Sequence, residues 1–365
     1  MPETRTIEGQ GWRANVRVNP TDPVAGAPTL MPTHGEYPIY DAGLYDPMTQ
    51  DTERNWRFSD ALDRSAKDRV VLDIGTGAYL FWAREALRAG ARGVVALESM
   101  QDSYQAATRT LTEVPGGERI TLLHGASTEL SLEARAEVCV AEIIGSLASA
   151  EGAAAVIADA RRRHLSPDAV VIPDVCLTRA AAASLTDLLG GQEPAFASAA
   201  APQLTRIFDW NGAAFDVRLR IANPARDGVM SDHAPVERLD FNGELRPEQE
   251  SQFRLTIDRP GQVDGLLTWL VISCLAGQEP LDAMRHETNW ASIYLPLFDT
   301  PVRVEPGDVM DITFRCMLSE DRVHPDYDVA AELHTARGLH HAQHFSPYRG
   351  QKLRVHPVYE SLFPA

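Results

Sequence analysis

The stretch Arg69-Val70-Val71-Leu72-Asp73-Ile74-Gly75-Thr76-Gly77 is an apolar run that ends in two glycines, and its reading decides the fold. A run of this kind is a buried strand that turns through a glycine loop. A helical pattern follows from Phe81 to Ala89, stopped by Gly90, and then a second strand, Gly93-Val94-Val95-Ala96-Leu97-Glu98. The alternation continues downstream. Gln101 to Val114 reads as a helix, stopped by Pro115-Gly116-Gly117; Arg119 to Leu123 and Val138 to Ala141 read as strands. Glu151 to His164 is an Ala-rich helix, and Ala169 to Ile172 a strand closed by Pro173. Strands alternating with helices of this length predict a parallel sheet with helical crossovers.

Upstream, Asp51 to Leu62 carries its apolar residues on one helix face, with Met48 one turn ahead. Residues 1–35 are rich in Pro, Gly and Thr and read as an extended or mobile tail. Past Asp174 the pattern changes. Phe215 to Ile221, Gln252 to Ile257, Gly265 to Ser273 and Asp311 to Cys316 are strand-like, and turn signals such as Arg259-Pro260-Gly261 and Glu305-Pro306-Gly307 separate such runs. This predicts an all-β second domain, a sandwich or barrel. The expected organisation is a tail over 1–35, an α/β domain over 36–174 and a β domain over 175–365.

Composition narrows the function. The 365 residues carry 34 Lys plus Arg against 51 Asp plus Glu, a net charge of −17. Phosphate backbones demand basic residues, so nucleic acid is a poor partner. An acidic field concentrates cations, which favours a cationic substrate. No apolar run reaches the ~18 residues of a membrane span, and Met1 to Gln10 carries no signal-peptide core. The cysteines, Cys139, Cys176, Cys274 and Cys316, are scattered and form no CxxC pair, so a reducing cytoplasm is the expected compartment. His340-His341-Ala342-Gln343-His344 lies in a polar stretch without matching acidic partners, and no metal is expected there.

The chemistry begins at Asp73-Ile74-Gly75-Thr76-Gly77. Glycines there let the backbone approach a ligand, and Glu98, 25 residues after Asp73, is placed to accept both hydroxyls of a ribose. The third glycine of the dinucleotide fingerprint is missing, since the run continues Ala78-Tyr79-Leu80. That disfavours a pyrophosphate cofactor and favours an adenosine cofactor without phosphates. The bland alternative is a glycine turn with no ligand.

These residues resemble the protein arginine methyltransferases, a family with a Rossmann-like S-adenosylmethionine domain followed by a β-barrel. Four segments carry the resemblance. Tyr45-Asp46-Pro47-Met48-Thr49-Gln50-Asp51-Thr52-Glu53-Arg54-Asn55 is similar to the family's N-terminal helix, nearest its monomethylating branch. It implies that Arg54 grips the methionine carboxylate of the cofactor as a bidentate fork, with Met48 beside it and Tyr45 towards the substrate. Taken without the family, Arg54 reads as a surface helix arginine. The second segment is the Asp73, Gly75, Gly77 loop with Glu98 and with Ser127-Thr128-Glu129, which matches the adenine-side loop; Ala78-Tyr79 departs from the family's pattern.

The third segment, Ala141-Glu142-Ile143-Ile144-Gly145-Ser146-Leu147-Ala148-Ser149-Ala150-Glu151, looks like the double-glutamate loop. Two carboxylates around a guanidinium fix its plane and leave one nitrogen aimed at the transferred methyl. Residues between the pair are smaller than in the family (Ile143, Ile144, Ser146, Ala148), which implies a reshaped substrate channel. Without the flanking matches, Glu142 and Glu151 read as a strand end and a helix cap. The fourth, His286-Glu287-Thr288-Asn289-Trp290, resembles the family's Thr-His-Trp loop, with Asn289 in place of its His. Asn takes no proton at neutral pH, so a carboxylate, water or His286 is left for that task.

The resemblance thus implies an S-adenosylmethionine-dependent transfer of a methyl group to an arginine guanidinium, with Glu142, Glu151, Asn289 and Trp290 as its catalytic residues. Free L-arginine or a small guanidine and an arginine-containing protein are both open as substrates, the small molecule slightly favoured. Methylation of another amine, and a cofactor-binding protein that has lost turnover, are the alternatives. The family's usual dimer implies an arm, here about 186–214 with Phe196, Phe208 and Trp210.

Overall fold

The chain is described by a computed structural model that covers residues 2–21, 23–39 and 42–365, with backbone alone at 42–45. Its N-terminal elements are β1 (Glu3–Gly9), β2 (Trp12–Val18), β3 (Thr29–Pro32), α1 (Ala42–Thr49) and α2 (Thr52–Ser65). The described residues of the 1–35 segment are therefore not the tail that its Pro, Gly and Thr content suggests. β1 and β2 form an antiparallel hairpin, and β3 joins a sheet of the second domain. The physical reason is the alternation Trp12, Ala14, Val16, Val18, which turns every second side chain inward.

The α/β domain follows as β4 (Val70–Ile74), α3 (Phe81–Arg88), β5 (Gly93–Glu98), α4 (Gln101–Leu111), β6 (Ile120–His124), β7 (Ala136–Ala141), α5 (Ala153–Arg163) and β8 (Leu165–Ile172). All strand pairs in this sheet are parallel, in the order β6-β5-β4-β7-β8. The chain leaves β4 to one side and returns to its other side at β7. A parallel sheet binds ligands at the carboxyl ends of its strands, beside such a reversal. Here those ends carry the glycine loop, Glu98 and Glu142.

The second domain holds β9 (Val175–Ala183), α6 (Leu185–Leu188), α7 (Ala200–Asn211), β10 (Leu219–Ala222), β11 (Val229–Asp240), β12 (Gln249–Thr256), β13 (Gly261–Val263), β14 (Gly265–Ser273), β15 (Leu281–Asp282), β16 (Ser292–Pro296), β17 (Val302–Val304), β18 (Val309–Leu318), β19 (Pro325–Thr335), β20 (Gly338–Ser346) and α8 (Pro357–Leu362). One sheet runs β11-β9-β14-β16-β10-β3 and a second β12-β18-β19-β20. Ala180, Leu266 and Leu295 of the first share one core with Leu255, Phe314 and Val329 of the second. The β-barrel reading of the domain holds.

The expected arm, 186–214, folds against the chain's own hairpin. Phe196 bridges Val18, and the Trp12 ring meets Phe208 edge-on at 5.3 Å while its Nε1 donates to Asp209 Oδ1 at 3.0 Å. Phe196 and Phe208 are fully buried by these intrachain contacts.

Candidate active site

Two adjoining cavities open at the carboxyl ends of β4, β5 and β7. The first, about 320 Å³, is lined by Gly75, Thr76 and Gly77, by Glu98, Ser99 and Met100, and by Met48, Arg54, Trp82 and Tyr79. Its floor is the glycine loop. Gly75 has φ +76° and a Cβ there would stand 2.8 Å from Ile143 Cγ2, so both the turn and the close approach need glycine. Glu98 accepts from the backbone N–H of Gly77 at 2.9 Å and of Met100 at 2.8 Å. Burial raises its carboxyl and those amides hold it down. Asp73 is fully buried behind the loop, where its Oδ2 accepts from Thr76 Oγ1 at 2.6 Å. Burial pushes its carboxyl up to about 7. Asp73 thus braces the loop from behind and does not line the cavity wall, where the resemblance implies a cofactor contact.

Arg54 reaches the same cavity from α2. Asp51 caps that helix, accepting the Arg54 N–H at 2.9 Å through Oδ1. The Arg54 side chain is buried rather than on the helix surface. Its Nη1 donates to Glu142 Oε2 at 2.8 Å and its Nη2 to the Met48 carbonyl. Glu142, directly after β7, has its carboxyl pushed up to about 7 by burial, with Arg54 pulling it down and Asp51 adding to the rise.

The second cavity, about 260 Å³, shares Arg54, Glu36, Met48, Glu142 and Glu151 with the first. Its other walls include Ile144, Ser146, Leu147, Arg218, Arg220, Asn289 and Trp290. Trp290 Nε1 donates to the Ile144 carbonyl at 2.7 Å, so the barrel loop is fastened to the glutamate loop. Asp51 Oδ2 accepts from Thr288 Oγ1 at 2.6 Å and from the Asn289 N–H at 2.8 Å. Asn289 donates its side-chain amide to the Pro47 carbonyl at 2.7 Å, so it ties the barrel loop to α1. Tyr79 OH donates to Asp46 Oδ1 at 2.7 Å, a second tie on α1.

The structure brings together Met48, Arg54, Gly75, Gly77, Glu98, Glu142, Glu151, Asn289 and Trp290. It does not bring Ser127 or Thr128 to either wall. The Ser127 carbonyl accepts from Arg163 Nη2 at 2.6 Å and meets His164 Nε2 at 2.8 Å, so this loop packs on α5. Ala148 is fully buried and off the channel wall, and His286 has its Nδ1 on the Asp282 backbone. The side chain of Tyr45 lies outside the described residues. Missed by the sequence were Glu36 and Tyr37, Arg218, and the stacked pair His324 and Tyr348, whose rings are 4.1 Å apart on the roof of the first cavity. Glu36 and Tyr37 come from the stretch between β3 and α1, just past the segment read as tail, and Arg218, His324 and Tyr348 lie beside the ends of barrel strands; no local pattern marks them. Among the described residues, no group of three or more His, Cys, Asp or Glu is arranged to hold a metal, and no helix is long and apolar enough to cross a membrane.

No family model matches the chain. A protein arginine N-methyltransferase 7 of Drosophila grimshawi is 29% identical over 252 residues, 63% of this chain and 35% of that protein. That of Aedes aegypti is 28% identical over 244 residues, 61% of this chain and 35% of that protein. The chain is similar to the protein arginine methyltransferases. It spans about a third of the length of these curated relatives. Two solved structures share the fold. A Trypanosoma brucei PRMT1 enzyme–prozyme complex with AdoHcy superposes with TM-score 0.65 at 20% identity, over 84% of this chain and 98% of that one. Arabidopsis thaliana protein arginine methyltransferase 10, in an open conformation, gives 0.67 at 17% identity over the same shares. The Rossmann-like domain followed by a β-barrel is thus the layout of protein arginine methyltransferases.

Proposed function

We propose that the protein is an S-adenosylmethionine-dependent N-methyltransferase that acts on an arginine guanidinium and stops at the monomethyl product. The observation that carries this is the position of Glu142 and Glu151 on the wall common to both cavities. The first cavity fits the cofactor through its glycine floor, the Glu98 carboxylate and a buried arginine. Glu98 would take the ribose hydroxyls, and Arg54 with Met48 the methionine end. The cofactor supplies an electrophilic methyl on a sulfonium, which needs in-line placement of the nucleophile and little else.

The residues of this chain provide that placement. Glu142 and Glu151 accept N–H groups of the guanidinium, hold its plane, and draw its positive charge away from the attacking nitrogen. A bound cation lowers the Glu142 carboxyl and completes its ionisation. The proton released from the methylated nitrogen passes to a carboxylate or to water, since Asn289 accepts none. Residues 33–36 line the second cavity together with Ser146, and its limited volume of about 260 Å³ favours free L-arginine or a small guanidine. The names of the sequence relatives favour arginine in a protein as the second reading.

Mass spectrometry after incubation with S-adenosylmethionine tests the reading. Free L-arginine goes in one tube and an arginine-rich peptide in another. A mass gain of one methyl on free arginine alone supports the small-molecule form, and on peptide alone the second form. No product in either tube, with cofactor still bound in calorimetry, removes the proposal. A homodimer in the cytoplasm completes the reading; light scattering and cell fractionation check it.

A further inference from the structure

Glu237 is a buried acid that none of the chemistry above uses. It sits on β11, where the pairing with β9 slips between Pro235 and Glu237. The slip turns Val236 and Glu237 both inward, against the alternation of the strand. Bulges re-aim side chains in this way, often beside functional sites. The re-aimed carboxylate, 2% exposed, accepts from the Ser149 backbone N–H at 3.3 Å, from Thr178 Oγ1 at 2.8 Å and from the Ser149 hydroxyl. Thr178 Oγ1 in turn accepts from the Ala148 N–H at 2.9 Å, and Tyr327 OH lies 2.9 Å from Ser149 Oγ. Burial raises the Glu237 carboxyl, and the groups that hold it back are neutral donors.

All these bonds converge on residues 148 and 149, inside the loop that runs from Glu142 to Glu151. Leu147 and Ala150 of the same loop pack in the barrel core beside Val236. The Gly152 N–H donates to the Ser149 carbonyl at 2.8 Å, which links the anchored residue to the chain just beyond Glu151. A core of Val, Leu and Ile has no need of a carboxylate, and burying one is unfavourable without compensation. Its bonds point to the loop rather than to barrel packing.

We propose that Glu237 is a positioning residue. Through Ser149, Thr178 and Ala148 it fixes the loop that presents Glu151 opposite Glu142, so a barrel strand sets the geometry of the acid pair. This rests on the reading that the pair grips a guanidinium.

The test compares Glu237→Gln, Ser149→Ala and the double variant in the full chain. It measures turnover per folded enzyme, cofactor affinity by calorimetry, and amide exchange of the 147–151 segment. A misplaced catalytic group costs about a hundredfold. Each single variant is therefore expected to lower kcat by about ten- to a hundredfold, leave cofactor affinity within about twofold, and speed exchange in 147–151. The double variant falls by less than the two singles combined, because Glu237 and Ser149 belong to one hydrogen-bond network. Unchanged kcat and unchanged loop exchange, with only the melting temperature lowered, would overturn the proposal and leave Glu237 a packing residue. If Glu237→Gln does not fold, the same outcomes are read on Ser149→Ala. Absence of any guanidine methylation by the wild type defeats the proposed function instead, and loop exchange still decides the role of Glu237.

Discussion

Arg54 Nη1 donates to Glu142 Oε2 at 2.8 Å in a wall where neither side chain is as much as a tenth exposed. One guanidinium therefore touches the acid that would hold substrate and the cavity that would hold cofactor. A ligand carboxylate arriving at Arg54 shares the cation with Glu142, which couples the two cavities electrostatically. Arg54→Lys keeps the charge and loses the planar fork. Cofactor affinity should fall about tenfold to a hundredfold, ~1.4–2.8 kcal/mol, in calorimetry. Unchanged affinity would take Arg54 out of the cofactor site.

Glu142 gives a pH signature. Burial lifts its carboxyl from 4.5 to about 7. A raised acid contributes stability that is complete below the unfolded value and is lost as pH rises through the folded one. The ligand-free protein therefore loses stability between about pH 4.5 and pH 7, by up to about 3 kcal/mol from this group. Glu142→Gln removes the ionisation, so its thermal melts should change less over that interval. Equal changes in both proteins would contradict the shifted group.

The same residue shapes the rate. Because kcat/KM reports the free enzyme, the acid limb for a guanidine substrate should fall near pH 7 rather than near the ordinary carboxylate range. An initial-rate profile at low substrate checks this, and an acid limb near pH 4.5 would place substrate binding on other groups.

Asp51 serves two elements with one carboxylate: Oδ1 caps α2, while Oδ2 holds Thr288 and Asn289 of the barrel loop. Asp51→Ala removes a cap worth about 0.5–2 kcal/mol and leaves buried donors unmet. The expected result is a destabilised fold with raised KM for both cofactor and guanidine. Thr288→Val removes one of these bonds and should raise KM less, which denaturant melts and steady-state kinetics measure together.

Trp12 is the keystone of the hairpin, edge-on to Phe208 and bonded to Asp209. Trp12→Ala should cost about 3–5 kcal/mol, the range for a buried tryptophan. A change below about 1 kcal/mol in urea melts would mean that the hairpin contributes little to the fold.

Much of the site was legible because its signals are local. The glycine loop, Glu98 and Glu142 sit where strands end, and those strands announce themselves by apolar runs. Arg54 was legible only through resemblance, since a helix arginine carries no mark of burial. The N-terminal strands were missed although Trp12, Ala14, Val16 and Val18 alternate; the Pro and Gly that follow them outweighed that pattern. Ser127 and Thr128 show the converse, a sequence match whose loop packs on α5. Glu36, Tyr348 and Glu237 reach their places only through tertiary pairing, which no window of sequence contains.

The hairpin changes how the chain is to be handled at the bench. Shortening it by its first twenty residues, as one would trim a loose end before crystallisation, would unroof Phe196, Phe208 and their neighbours. The freshly bared apolar face would seek cover from another molecule. An aggregate or an artificial dimer in such a shortened chain would then report the missing lid, and say nothing of how the intact protein assembles.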